Sequence, residues 1–349
     1  MSGNSEMRRG SVRPLFIAWT AFQRRQTSMI PMGGFEVRFM PVPRHARRLR
    51  KLVFYLVHAA ATWRLMCSSR PPEVWVQLPQ VPLLWVALLY RLWARNGVKV
   101  VADCHNAMLR PPWSRFPLLS LTLRAADVVL VHNEAMRAEA LAQGWPAEAL
   151  RVLEDVPPVC IAATGYGTAQ SYVQLPRPWV VVPGSFSPDE PIREVLEAAR
   201  RAPEIGFVLT GSLKAARSNH HPVDDLPVNV VLPDFMPTEA FDALLGDADV
   251  VMGLTRFADT QLSVCNEALG FGKPLVTSNT RLLRELFGAA AVFVDTEDPA
   301  SIAEGCRQAL QEAGMRAAAS QRLANERLRR WQREQWADVQ ALLRQFKRR

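Results

Sequence analysis

Residues 250–278 read VVMGLTRFADTQLSVCNEALGFGKPLVTS. An apolar run ends at Gly253, a polar loop follows, and a helical pattern starts near Ser263. Gly270 and Gly272 then permit a tight exit before a second apolar run at Pro274. Strand, loop, helix, turn and strand in this order are the repeating unit of a parallel sheet. The N–H groups and the dipole at the helix start would make a site for a diphosphate. Glu267, one turn in, can accept two hydrogen bonds from a ribose diol. Ordinary capping is the competing reading, with Ser263 as the cap and Glu267 as a solvated first-turn acid.

The same alternation extends in both directions. Toward the amino end of this half lie strand candidates at 179–182, 207–210 and 228–232, and beyond it one at 291–294, with helical pattern at 192–201, 239–245, 264–271, 281–286 and 299–313. The front half repeats the theme with strand candidates at 15–19, 35–40, 73–77, 98–102, 128–131 and 151–153, separated by helical pattern at 46–67, 83–95, 117–126 and 134–143. Near-continuous apolar strands alternating with helices indicate parallel sheets covered on both faces. Between the halves, residues 155–178 are rich in Pro and Gly. The expected organisation is α/β: a Rossmann-like domain over 1–160, a linker over 161–178, a second Rossmann-like domain over 179–315, and a basic helical tail over 316–349 packing back toward the first domain. Two doubly wound domains would put a ligand cleft at the carboxyl ends of their sheets.

The 349 residues are 49% hydrophobic and 21% charged, which excludes a disordered chain and suits two domains. Five scattered cysteines with no C-x-x-C spacing suggest neither a disulfide framework nor a zinc ribbon. The net charge of +9 is unevenly spread: +11 over residues 1–170, −9 over 171–315 and +7 over 316–349. A basic front, an acidic middle and a basic tail imply domains with different partners. No signal-peptide pattern and no membrane-spanning apolar run is visible, so the expected location is the cytoplasm, peripheral at the inner face of the plasma membrane.

Around Glu267 the sequence resembles the GT-B glycosyltransferases, in particular the family-4-like (group 1) enzymes. It also resembles the related chitobiosyl-diphosphodolichol beta-mannosyltransferases and bacterial polysaccharide glycosyltransferases. Glu267, Gly272, Pro274 and Leu275 match the second half of that family's E-x7-E signature, and Asp259 stands at its first acidic position. The resemblance implies that Glu267 binds the nucleotide ribose, that Asp259 meets the donor sugar, and that Thr260, Gln261, Leu262 and Ser263 form the diphosphate-binding turn. The stretch VVPGSFSPDEPIREVLEAA at 181–199 looks like the opening strand and loop of the family's donor domain, with Gly184 and Ser185 near phosphate. There the plainer reading is that Asp189 and Glu190 favour the following helix start. LTGSLKAAR at 209–217 resembles another family strand end and offers Lys214 as the cation for the diphosphate. Phe235 and Met236 would flank the base, although packing could equally explain Phe235.

In the front half, Asp103-Cys104-His105-Asn106 looks like the family's D-W-H-N tetrad. His105 would orient the reacting groups. Asp103 could accept the acceptor hydroxyl's proton if burial raises its pKa. Asn106, Arg24 and Arg25 would face the acceptor. The segment RHARRLRK at 44–51, with Arg47 and Arg48, feeds an aromatic-rich amphipathic pattern suited to a membrane surface.

The expected function is metal-independent transfer of a sugar from a nucleotide diphosphate sugar to a glycan acceptor, lipid-linked, in bacterial polysaccharide or glycoconjugate assembly. The nucleotide sugar is a co-substrate, and no cofactor and no nucleic-acid partner is expected. A nucleotide-sugar 2-epimerase of the same fold, a non-catalytic partner subunit and a nucleic-acid-binding protein are the alternatives. Retention and inversion both stay open.

Overall fold

The computed structural model describes residues 13–41, 48–95, 97–158 and 174–345. The chain divides into two compact units: Met1–Glu154 with Trp331–Arg349, and Asp155–Arg330. Most of the stretch read as a linker lies outside the described residues.

The first unit is a six-stranded sheet: β1 (Leu15–Ala18), β2 (Glu36–Phe39), β3 (Glu73–Leu78), β4 (Lys99–Cys104), β5 (Val128–Val131) and β6 (Leu150–Val152). Its order is β2-β1-β3-β4-β5-β6, with every pair parallel. Both faces are covered, so successive residues of one strand are buried in different cores. Val74, Val76 and Leu78 join the core that includes residues of the helices Arg48–Ser69 and Val81–Ala94. Trp75, between them, packs its ring against those of Phe16, Phe35 and Trp336, edge-on to Phe35 and tilted to the other two. Trp336 opens the helix Trp336–Gln345, which follows a π-helical turn at Trp331–Gln335. The buried indole of Trp331 stacks on Trp336 and donates from Nε1 to the Glu154 carbonyl at 3.0 Å. These aromatic contacts tie the last helix to the first unit.

The helix Arg24–Gly33 has no counterpart in the sequence reading. Its residues RRQTSMIPMG offer no continuous apolar stripe and contain Pro31, so periodicity does not mark it.

The second unit contains β7 (Trp179–Pro183), β8 (Gly206–Thr210), β9 (Val230–Val231), β10 (Val250–Gly253), β11 (Leu275–Ser278) and β12 (Ala291–Val294). The order β12-β11-β10-β7-β8-β9, parallel throughout, reverses direction between β7 and β10. That switch point leaves a crevice outside the carboxyl ends of the strands, where such sheets bind ligands. Alternation again supplies two cores: Val180 and Val182 belong to one, Trp179 and Val181 to the other.

Candidate functional site

The helix Ser263–Gly270 follows β10 at the switch point. Val264, Cys265, Ala268 and Leu269 are buried and hold its inner face. Gly253 allows the close approach, because a Cβ there would stand 2.3 Å from Val264 Cγ1. Thr277 Oγ1 donates to the Gly253 carbonyl at 2.8 Å and fixes the strand end. The N-cap is Leu262, extended at φ −93 and ψ 128, with no side-chain cap bond. Ser263 is therefore the first helical residue and not the cap, and the capping position itself supplies no side-chain acceptor to the first-turn amides. An apolar side chain at this position cannot itself accept from those amides.

Glu267 is only 8% exposed, so it is not the solvated acid of the capping alternative. Its neighbour Asn266 accepts at Oδ1 from Arg327 Nη1 at 2.6 Å. Arg327 is itself buried over the Phe287 ring at 4.8 Å and comes from the helix Ala313–Arg330. Asp259 is exposed in the turn before the helix, and Thr260, Gln261 and Leu262 are half-buried between them.

The loop after β7 is built by its acidic pair. One oxygen of Glu190 accepts from the Ser185 amide at 3.0 Å and the Ser185 hydroxyl at 2.7 Å; the other accepts from the Phe186 amide at 2.8 Å. Burial pushes the Glu190 carboxyl up, and these hydrogen bonds act against it. Ser185 thus spends both donors on Glu190, which corrects its expected reach toward phosphate. Asp189 accepts from Ser187 Oγ at 2.6 Å and from the Thr255 hydroxyl, and its carbonyl accepts from the Arg256 amide at 2.9 Å. Asp189 and Glu190 therefore shape this loop and join it to the loop after β10, beyond favouring a helix start.

Gly184 sits beside Gly211, whose φ is +141. A Cβ on Gly211 would lie 2.2 Å from the Gly184 carbonyl oxygen. Gly211→Ala is expected to destabilise this unit by about 1–3 kcal/mol and to displace the loop. Urea unfolding would measure the loss, and an unchanged midpoint would contradict it.

Lys214 is exposed in the first turn of the helix Leu213–Ser218. Asp234 Oδ1 accepts the Leu213 amide at 2.9 Å, and such backbone N–H groups hold the Asp234 carboxyl below its ordinary range. Phe235 is 76% exposed, so core packing does not explain it, whereas Met236 is half-buried against the core. The chain's one D-x-D, Asp247-Ala248-Asp249, precedes β10. Asp249 there accepts the Trp179 amide at 2.7 Å and pairs with Arg177. This D-x-D thus lies at the amino ends of β7 and β10.

In the first unit, Asp103 is fully buried near the carboxyl end of β4. Arg25 Nε reaches both its oxygens at 3.1 and 3.0 Å, and Arg25 Nη2 reaches Oδ1 at 2.9 Å and the Leu153 carbonyl at 2.8 Å. His132, following β5, places Nε2 3.6 Å from Asp103 Oδ1. Burial alone would raise the Asp103 carboxyl, but the Arg25 guanidinium, with His132, outweighs it and holds the group well below the carboxylate range. Two expectations are corrected here. Asp103 does not have the raised pKa of a proton acceptor, because a buried guanidinium stabilises its anion. Arg25 is unavailable to acceptor phosphate, because its guanidinium is buried on Asp103.

His105 packs its ring against His132 at 4.4 Å between centroids, in a T-shaped contact, and Gln23 Nε2 lies 3.5 Å from His105 Nδ1. His132 escaped the sequence reading, since only its place after an apolar strand could have marked it. Asn106 opens a 3-10 turn, Asn106–Leu109. Arg24 lies over the Phe22 ring at 5.9 Å. Arg47 is outside the described residues, and of Arg48 only its backbone place at the start of a helix is described.

Asp103, His105 and His132 offer ligand-type atoms all within 4.8 Å of one another. The donor types suit a metal, but Arg25 occupies both carboxylate oxygens, and a cation would have to displace a buried guanidinium. The residues fit an imidazole pair oriented by a carboxylate better than a metal centre.

Residues 170–326 match the family described as Glycosyl transferases group 1. No curated protein sequence matches the chain. Among solved structures, the chain is similar to HepE from Anabaena in complex with UDP and glucose: 16% identity, 97% of this chain and 98% of that one covered, TM-score 0.65. Sucrose-phosphate synthase from Thermosynechococcus elongatus has 13% identity, 96% and 98% coverage, and TM-score 0.65. An alpha,alpha-trehalose-phosphate synthase (UDP-forming) from Burkholderia vietnamiensis has 13% identity, 94% and 100% coverage, and TM-score 0.64. The two parallel six-stranded sheets with their helices are the GT-B fold of these neighbours.

Proposed function

From a chain of GT-B fold whose residues 170–326 match the group 1 glycosyl transferases, we propose the transfer of a sugar from a nucleotide diphosphate sugar to a glycan acceptor. The observation that carries this reading is the helix Ser263–Gly270. Its N-cap residue, Leu262, brings no side-chain acceptor to the first-turn amides, and a buried carboxylate, Glu267, lies one turn in. Amides and the helix dipole stabilise the departing diphosphate, and Lys214 adds a cation. Glu267 accepts the ribose hydroxyls, Asp259 meets the donor sugar, and Phe235 offers a face to the base. Gly184 lets the loop after β7 approach the phosphates.

The neighbours that carry UDP support a uridine donor. His105, oriented through His132 and Asp103, serves the reacting groups. Arg24 and Asn106 serve the acceptor, and no step is assigned to a metal. The +11 charge of residues 1–170 supports a lipid-linked, phosphate-bearing acceptor at the inner face of a plasma membrane, in bacterial polysaccharide or glycoconjugate assembly.

A thermal-shift panel of UDP-, GDP- and ADP-sugars tests the donor half of this reading, because a ligand that binds the folded state raises Tm. One nucleotide class is expected to raise Tm by several degrees, and a flat panel would contradict the assignment. Incubation of the best donor without acceptor should leave the sugar's configuration unchanged; an accumulating epimer would instead identify an epimerase.

A further inference from the structure

Three helices of the first unit turn apolar side chains to solvent. In Arg48–Ser69, Leu52 with Leu56 and Val53 with Val57 form adjacent i, i+4 pairs, all more than half exposed. In Val81–Ala94, Leu89, Leu92 and Trp93 repeat at helical spacing. Leu118 and Leu121 continue the pattern at the helix Leu119–Arg124. Leu56, Leu92, Trp93 and Leu121 expose 64%, 68%, 63% and 62% of their surface.

The helices are neighbours. Trp63 and Trp93 rings lie 5.6 Å apart, and Trp85 Nε1 donates to Thr122 Oγ1 at 3.1 Å. The connections β2 to β3, β3 to β4 and β4 to β5 all step in one direction across the sheet, so right-handed crossovers put the three helices on one face. A helix layer on a soluble surface ordinarily turns charged residues outward, and an apolar plateau of this kind marks an interaction site.

The charges select the occupant. The three helices contain Arg48, Arg50, Lys51, Arg64, Arg91 and Arg124 and no Asp or Glu. Arg91 meets Asp127, which precedes β5. Two copies of such a face would repel each other. A sheet of anionic headgroups over hydrocarbon complements both its charge and its apolar stripes. Exposed tryptophan beside leucine suits the depth of a headgroup boundary. No helix among the described residues is long and apolar enough to cross a membrane.

We propose that the outer face of these three helices docks flat on an anionic lipid bilayer. The proposal rests on the membrane-acceptor reading above and names the surface that serves it.

Vesicle flotation of the full chain tests it, with phosphatidylcholine alone and with added phosphatidylglycerol. The chain is expected to float with the anionic vesicles and to release partly in high salt. Leu92→Glu/Trp93→Glu and, separately, Leu118→Glu/Leu121→Glu should each reduce binding at least about tenfold, since each variant removes two inserting apolar side chains. Val228→Glu, at a 97% exposed position in the second unit, should float like the parent chain. An unchanged Tm for each variant separates lost docking from lost folding. A nucleotide-induced shift read on the same samples separates failure of docking from failure of the donor site. A parent chain that stays at the bottom of the gradient would overturn the proposal. So would glutamate variants that float unchanged, or light scattering that shows the variants splitting a dimer.

Discussion

Replacing Glu267 by alanine is expected to weaken nucleotide-sugar binding by ten- to a hundredfold. A hydrogen bond to a charged acceptor contributes about 1.5–3 kcal/mol, and the carboxylate can take two from a ribose diol. The magnitude depends on burial: at 8% exposure, Glu267 faces little competition from water. Thermal shift measured against nucleotide concentration checks this, as the difference between liganded and free protein for each variant. Reading the difference removes any effect of the substitution on the unliganded fold. Glu267→Gln keeps the size and one acceptor oxygen but loses the charge, so it should fall between. A variant whose shift matches that of the parent chain would remove Glu267 from the site.

Asp103→Ala should cost about 3–5 kcal/mol of stability, because it leaves the Arg25 guanidinium buried without its carboxylate. The contribution of this group depends on pH in a defined sense. Its carboxyl titrates lower in the folded chain than in the unfolded one, because the Arg25 charge outweighs burial. The stabilisation is therefore complete above the ordinary carboxylate pKa and is lost as pH falls below it toward the depressed folded value. Urea unfolding of the parent and the variant from neutral pH downward reads both effects, and the gap between their curves should narrow with acid. A variant as stable as its parent at neutral pH would show that the pair contributes nothing. A gap that widens with acid would reverse the assigned sign. Asp103→Asn, which keeps the shape and can still accept from Arg25, should lose less.

The strands were legible because burial on both faces writes apolar residues continuously. The candidates at 128–131, 250–253 and 291–294 coincide with β5, β10 and β12. The basic tail was legible as helix, but its division was not. Ala313–Arg330 belongs with the second unit, while Trp331 and Trp336 belong with the first, and aromatic contacts across the chain decide that. The segment Asp259–Glu267 could be read because its parts are contiguous.

The opposite holds for Arg25 and Asp103, which meet across 78 positions and exchange their expected roles on meeting. An arginine after a strand reads as a free cation and an aspartate in a tetrad as a base; the ion pair cancels both. Ser185 and Glu190 show the same limit at short range, since composition does not reveal that one side chain consumes the other's donors.

A crystal structure of the full chain with a bound UDP-sugar decides whether the helix Ser263–Gly270 holds the donor. Diphosphate oxygens are expected against the backbone amides of Ser263 and its neighbours, with the ribose on Glu267. A nucleotide bound elsewhere, with the start of that helix covered only by water, would contradict this placement.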